Sequence, residues 1–126
     1  IPLSCMIAQV VEMEKIVEQG LLYDFYGELL TAHQRRVYED VVFNDLSPSE
    51  IAGELGISRQ GVHDLMKRCD KILEEYEAKL HLVAKFVEIR DMAREVEQLA
   101  DECARTRDMA LIEQIHELAG KITGTL

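Results

Sequence analysis

The sequence predicts an all-α fold, in which a helix-turn-helix head is followed by long C-terminal helices. Three observations predict it. Hydrophobic residues make up 48% of the 126 residues and recur at helical spacing along most of the chain. The sequence has only seven glycines and two prolines, whereas a β-sandwich needs turn-forming residues about every 8–12 residues. From Arg59 to Arg105, only Gly61 interrupts helix-compatible sequence.

Two helices are expected before the central motif. Between Glu14 and Leu30, apolar residues at helical spacing indicate an amphipathic first helix. Thr31 and Gln34 have the spacing of a capping box, so Thr31 is expected to open a second helix. The pair Asn44-Asp45 ends that helix. The apolar positions of the two helices are Ile16, Val17, Leu21, Leu22, Phe25, Leu29 and Leu30, then Val37, Tyr38, Val41 and Val42.

A third and a fourth helix are expected on either side of Gly56. Ser47 is an N-cap residue, Pro48 takes the first helical position and Glu50 lies three residues after the cap. Gly56 ends this short helix, and Ser58 caps the next one. Two helices joined in this way form a helix-turn-helix.

Pro48–Arg68 also meets the packing requirements of that motif. Two short helices that cross steeply need a small residue at the crossing, and Ala52 supplies it. Four residues later the turn needs positive φ, which glycine adopts readily, and Gly56 stands there. The apolar residues expected to hold the pair on the core are Ile51, Leu55, Ile57, Val62 and Leu65.

The C-terminal half predicts long amphipathic helices and self-association. Apolar residues continue at spacings of three and four, as one long helix or as two in series. Thr106-Arg107-Asp108 offers a break, and a final helix from Met109 ends near Gly120 to Gly124. Such a helix exposes apolar surface that a small monomer leaves uncovered, so we expect a symmetric homodimer. Alternatively, the helix folds back on the head.

These elements give a flexible leader at residues 1–12, a helix-turn-helix domain at 13–75 and a helical extension at 76–126. No apolar stretch approaches the about 18 residues of a transmembrane helix, and the N-terminal residues lack the basic region of a signal peptide. The cysteines Cys5, Cys69 and Cys103 lack CxxC spacing and are expected to be buried and reduced. We therefore expect a cytoplasmic protein without membrane insertion.

The outward face of the motif's second helix is the candidate nucleic-acid-binding site. Arginine and glutamine form paired hydrogen bonds with guanine and adenine edges, respectively. Against this, Ser47–Cys69 holds equal numbers of bases and acids, and the net charge is −10, so the usual basic footprint is missing. The alternative is a set of ordinary solvated side chains. The candidate residues are Arg59, Gln60, His63, Lys67 and Arg68, with Asp64 among them.

No catalytic or cofactor motif is found. The glycine-rich phosphate loops and the H-x-x-x-H pair are absent. Glu113-x-x-His116 is a single E-x-x-H, whereas di-iron carboxylate bundles need two. The other histidines, His33, His63 and His81, are dispersed. We therefore predict a protein that is not an enzyme and that has no cofactor or metal site.

Four strings of the sequence point to a known family: GLLYDFYGELLT at 20–31, LSPSEIA at 46–52, SRQGV at 58–62 and EYEAKLHL at 75–82. Through them the sequence resembles the YlxM family of bacterial helix-turn-helix proteins over roughly residues 14–100. The string LSPSEIA also looks like the fourth region of bacterial sigma factors. Gly61 stands where the family generally has alanine, and His63 where it has an aromatic residue.

The resemblance implies a regulator of the membrane-targeting pathway of the signal recognition particle. It also implies that the gene of this protein neighbours those of the particle. Three interpretations are open. The protein binds protein or RNA components of the particle, for which its acidic surface suits basic partners. It is a sigma-like regulator that reads DNA with its recognition helix. Or it is purely an interaction module, in which the helix-turn-helix is only a scaffold.

Overall fold

The computed structural model describes the backbone of residues 3–126 and the side chains of residues 14–126. All regular structure in these residues is helical, which confirms the all-α class. The first helix begins at Leu3 rather than at Glu14, which corrects the predicted flexible leader at 1–12 for residues 3–12, where no glycine or proline interrupts the sequence. The elements are α1 (Leu3–Tyr26), a 3₁₀ turn (Gly27–Leu29), α2 (Ala32–Val42), α3 (Pro48–Leu55), α4 (Arg59–Leu80), α5 (Leu82–Thr106) and α6 (Ala110–Thr125).

The capping box that opens α2 is present as predicted. The Gln34 backbone N–H donates to Thr31 Oγ1 at 3.2 Å, and the Thr31 N–H donates to Gln34 Oε1 at 3.0 Å. Helix α1 ends at Tyr26 rather than at Leu30, because the 3₁₀ turn follows and the Leu30 N–H bonds the Gly27 carbonyl at 3.1 Å.

The chain divides into two compact units, the first of which runs to Leu80 and holds most of the buried side chains. Val37, Ile51, Ala52 and Val62 form a buried cluster where α2, α3 and α4 meet. Apolar side chains from three helices thereby close a core around the predicted motif. Further buried residues of this unit are Leu22, Tyr26, Leu30, Tyr38, Cys69 and Leu73.

The second unit, from His81, is an antiparallel hairpin of α5 and α6. The backbone of His81, with φ of 57°, separates α4 from α5. Arg107 takes the same conformation at the end of α5, so the predicted break is confirmed. Helix α6 continues through Gly120 and reaches Thr125. Within the described residues, no helix is long and apolar enough to cross a bilayer.

Candidate nucleic-acid interface

The corner between α3 and α4 has the predicted geometry. Ser47 Oγ accepts a hydrogen bond from the Glu50 N–H at 3.2 Å, and Pro48 is the first helical residue. Gly56 has φ of 67° and ψ of 30°, in the left-handed region that suits glycine. The Ala52 carbonyl accepts from the Gly56 N–H and from the Ile57 N–H, the latter at 3.2 Å. Both bonds end α3 and turn the chain sharply.

Ser58 caps the first turn of α4. Its Oγ accepts from the Gly61 N–H at 3.0 Å, and its carbonyl accepts from the Val62 N–H at 3.2 Å. Because a residue outside the helix satisfies these donors, the side chains of Arg59 and Gln60 have no capping role. Both side chains are exposed.

All the predicted site residues lie together on one exposed face of α4. At about 100° per residue, four of them occupy the half of the helix opposite the buried side chains of Val62, Cys69 and Leu73, and Arg59 lies just outside that half. A helix of this kind can enter the major groove of B-DNA. We call this face the recognition ridge, and its residues are Arg59, Gln60, His63, Lys67 and Arg68.

One acid interrupts the positive charge of the recognition ridge. Asp64 is exposed there, and its Oδ1 accepts a hydrogen bond from Gln60 Nε2 at 3.0 Å. The amide of Gln60 is therefore already hydrogen-bonded within α4. A carboxylate on this face opposes the approach of phosphate groups.

Asp70 fixes α4 against α1 and α2 just beyond the recognition ridge. Tyr38 Oη donates to Asp70 Oδ1 at 2.8 Å. Gln19 Nε2 donates to Oδ1 at 3.0 Å and to Oδ2 at 3.1 Å. Burial, and then the adjacent Asp70 carboxylate, raise the pKa of Tyr38 well above its usual range. The phenol therefore stays protonated and donates.

A second polar contact and two aromatic stacks support the same arrangement. Tyr26 Oη on α1 donates to Glu77 Oε1 on α4 at 2.6 Å. The rings of Tyr23 and Tyr38 stack with centroids 5.6 Å apart, and those of Tyr26 and Tyr76 with centroids 6.1 Å apart. Polar contacts of this kind cannot be found from helical spacing, because the partners lie far apart in the sequence.

An open cleft of 310 Å³ borders the recognition ridge. His63 and Lys67 of the ridge line it, and so does Lys15 of α1. Sequence reasoning missed Lys15, since only the packing of α1 on α4 places it here. The full lining is Lys15, Ile16, Gln19, Val41, Pro48, Val62, His63, Met66, Lys67 and Asp70.

The cysteines differ in their surroundings. Cys69 is fully buried, and burial raises the pKa of its thiol to about 11. Cys103 is only half-buried, which corrects the expectation of burial, and Cys5 lies outside the described side chains. Within residues 14–126, no group of three or more His, Cys, Asp or Glu side chains is arranged to hold a metal ion.

Comparison with known proteins gives a consistent result. The UPF0122 family profile, described as "Putative helix-turn-helix protein, YlxM / p13 like", matches residues 13–116. The UPF0122 protein YlxM of Bacillus subtilis (strain 168) is 38% identical over 107 residues, which are 84% of this chain and 97% of that protein. A UPF0122 protein of Bacillus pumilus (strain SAFR-032) is 39% identical over 107 residues, with the same two coverages.

A third relative extends the similarity beyond Bacillus. The UPF0122 protein of Thermoanaerobacter sp. (strain X514) is 43% identical over 103 residues, which are 81% of this chain and 88% of that protein. The profile describes helix-turn-helix proteins, not an enzyme class. The chain therefore belongs to the YlxM / p13-like family of helix-turn-helix proteins.

Proposed function

We propose that this protein is a cytoplasmic regulator that binds duplex DNA through the recognition ridge and controls genes of the signal-recognition-particle pathway. One observation carries the DNA part. The five predicted residues are all exposed on one face, at the start of a helix that follows a tight corner. In DNA-binding helix-turn-helix proteins, this first part of the second helix contacts base edges.

The geometry favours DNA over duplex RNA. The major groove of B-DNA is wide enough for an α-helix, whereas that of A-form RNA is deep and narrow. Arg59 and Gln60 lie at the end of α4 that enters such a groove first. The pathway part of the proposal rests on the resemblance alone. The resemblance implies a gene that neighbours those of the targeting particle and a product that regulates this pathway.

Fluorescence-anisotropy titration tests the DNA part. Duplexes from the promoter of the targeting-particle genes are compared with coding-region duplexes of equal length at several salt concentrations. We expect tighter binding to the promoter duplexes. Arg59→Ala should weaken it by about 5- to 150-fold, the range for one lost base-pairing side chain. Arg94→Ala, an exposed arginine on α5, is the matched control and should change affinity by less than about twofold. Equal binding to both duplexes contradicts the proposal.

A substitution at Asp64 should strengthen DNA binding, whereas the substitution at Arg59 should weaken it. Because the Asp64 carboxylate opposes phosphate, Asp64→Asn should strengthen DNA binding by about three- to tenfold at low salt. Glu113→Gln, which removes the same charge from α6, should leave affinity unchanged. An Asp64→Asn variant that binds no more tightly than wild type means that the recognition ridge does not approach the phosphates.

The net charge of −10 favours a second candidate, in which a basic protein component of the targeting particle is the partner. A pull-down of particle components separates the two. If the triple charge reversal Arg59→Glu, Lys67→Glu and Arg68→Glu abolishes DNA binding but leaves capture intact, both activities exist on different surfaces. Capture without any DNA binding by the wild-type chain favours the interaction module.

A further inference from the structure

The hairpin of α5 and α6 covers its own apolar seam only in part. Residues at spacings of three and four on each helix face the other helix, yet only Leu111 among them is buried. Two helices cover a seam from one direction only, whereas a bundle of three or four encloses it. The seam residues are Ile89, Met92, Val96, Leu99 and Cys103 on α5, and Leu111, Ile115, Leu118 and Ile122 on α6.

The two open sides of this seam differ in chemistry. In an antiparallel pair, flanking positions of the same heptad letter lie on the same side. On one side these are Glu88, Glu95 and Glu102 of α5, with Gln114 and Lys121 of α6, and we call this the acidic face. The other, which we call the uncharged face, has Phe86, Ala93 and Ala100 of α5 with Ile112, Ala119 and Leu126 of α6.

We propose that the uncharged face is the docking surface for a second copy of this chain, with the two hairpins forming a four-helix bundle. In a two-fold symmetric interface the same patch meets itself. The acidic face would place glutamates against glutamates in a protein whose net charge is already −10. The uncharged face carries no such repulsion. It also exposes apolar side chains that a partner would cover, since Ile112 is 45% and Leu126 is 83% exposed.

The size of the uncharged face suits a dimer of moderate stability. Helix α6 has 16 residues, and at about 1.5 Å per residue it is about 24 Å long. Two helices about 10 Å apart present a face about 20 Å wide, so each copy would bury about 500 Å². The total of about 1,000 Å² lies at the lower limit for a specific interface, in the range of weak and transient complexes. Alanines beside larger side chains allow the hairpins to interdigitate.

Sedimentation equilibrium of the full chain tests the proposal. The wild type should shift from 14.4 kDa towards twice that mass between about 1 and 200 μM. Ala119→Glu places a charge in the uncharged face of both copies and should raise the dissociation constant at least about tenfold. Gln114→Glu is the matched control, because it adds the same charge to the acidic face of the same helix. It should change the constant by less than about threefold.

Circular dichroism checks that both variants keep the helical content of the wild type, as expected for exposed helical positions. A wild-type chain that stays at 14.4 kDa throughout the range overturns the proposal. So does a dimer that Ala119→Glu leaves intact, which would place the interface on another surface. Loss of DNA binding bears on the recognition ridge alone and does not enter this test.

Discussion

Asp70 is a charged group that the fold uses to align three helices. A half-buried carboxylate needs hydrogen-bond donors to offset the loss of water. Tyr38 from α2 and Gln19 from α1 supply them. Hydrogen bonds to an ionised acceptor are stronger than those between neutral groups. The position of α4, and with it the recognition ridge, therefore depends on two side chains that lie outside the ridge.

Tyr38→Phe tests this role, since it removes only the hydroxyl of a side chain that is 0% exposed. We expect the free energy of unfolding to fall by about 1.5–3 kcal/mol, because Asp70 loses one of its two donor residues. Urea denaturation measures it. Tyr76→Phe is the matched control, because the Tyr76 hydroxyl has no partner among the described residues, and should cost less than about 0.5 kcal/mol. Equal losses in the two variants would show that the Asp70 contact adds no stability.

At the scale of elements, the boundaries that could be predicted are those fixed by local chemistry. The caps at Thr31 and Ser47 and the turn at Gly56 each involve groups a few residues apart, and the structure confirms all three. The break between α4 and α5 at His81 uses a left-handed backbone at a non-glycine residue, which sequence does not signal. Such a residue is held by surrounding structure rather than by its own preference.

Gly56→Ala should weaken the corner between α3 and α4. An alanine Cβ would meet no atom within 4 Å, so the cost is that of the left-handed backbone alone, about 1–2 kcal/mol. Gly53→Ala is a closely matched control, because its Cβ also meets nothing within 4 Å but the residue is helical. It should stabilise the protein by up to about 1 kcal/mol. Thermal unfolding of both variants compares them, and a Gly56→Ala variant as stable as wild type would contradict this account of the turn.

At the scale of the whole molecule, the recognition ridge could be predicted but its surroundings could not. Helical spacing alone assigns Arg59 and Lys67 to an outward face. The presence of Lys15 in the adjoining cleft depends on tertiary packing between residues about fifty positions apart, for which a single sequence carries no signal. The hairpin of α5 and α6 is a similar case. The spacing of its apolar residues could be predicted from the sequence, but the helix that packs against them could not.

The stability of the whole molecule should decrease at alkaline pH. The folded state raises the pKa of the Cys69 thiol from 9.0 to about 11 and that of Tyr38 above its usual value of 10.0, so it favours both neutral forms. The contribution of Cys69 is therefore fully present below pH 9 and is lost as the pH rises towards 11, by roughly 2–3 kcal/mol.

Urea unfolding of wild type and Cys69→Ala at pH 7 and pH 10.5 isolates this contribution. The wild type should lose more stability than the variant, because only the wild type must deprotonate a buried thiol on unfolding. Since Tyr38 is present in both proteins, its contribution to the pH dependence cancels in the comparison. Equal losses of stability in the two proteins would mean that ionisation of Cys69 does not contribute to the pH dependence.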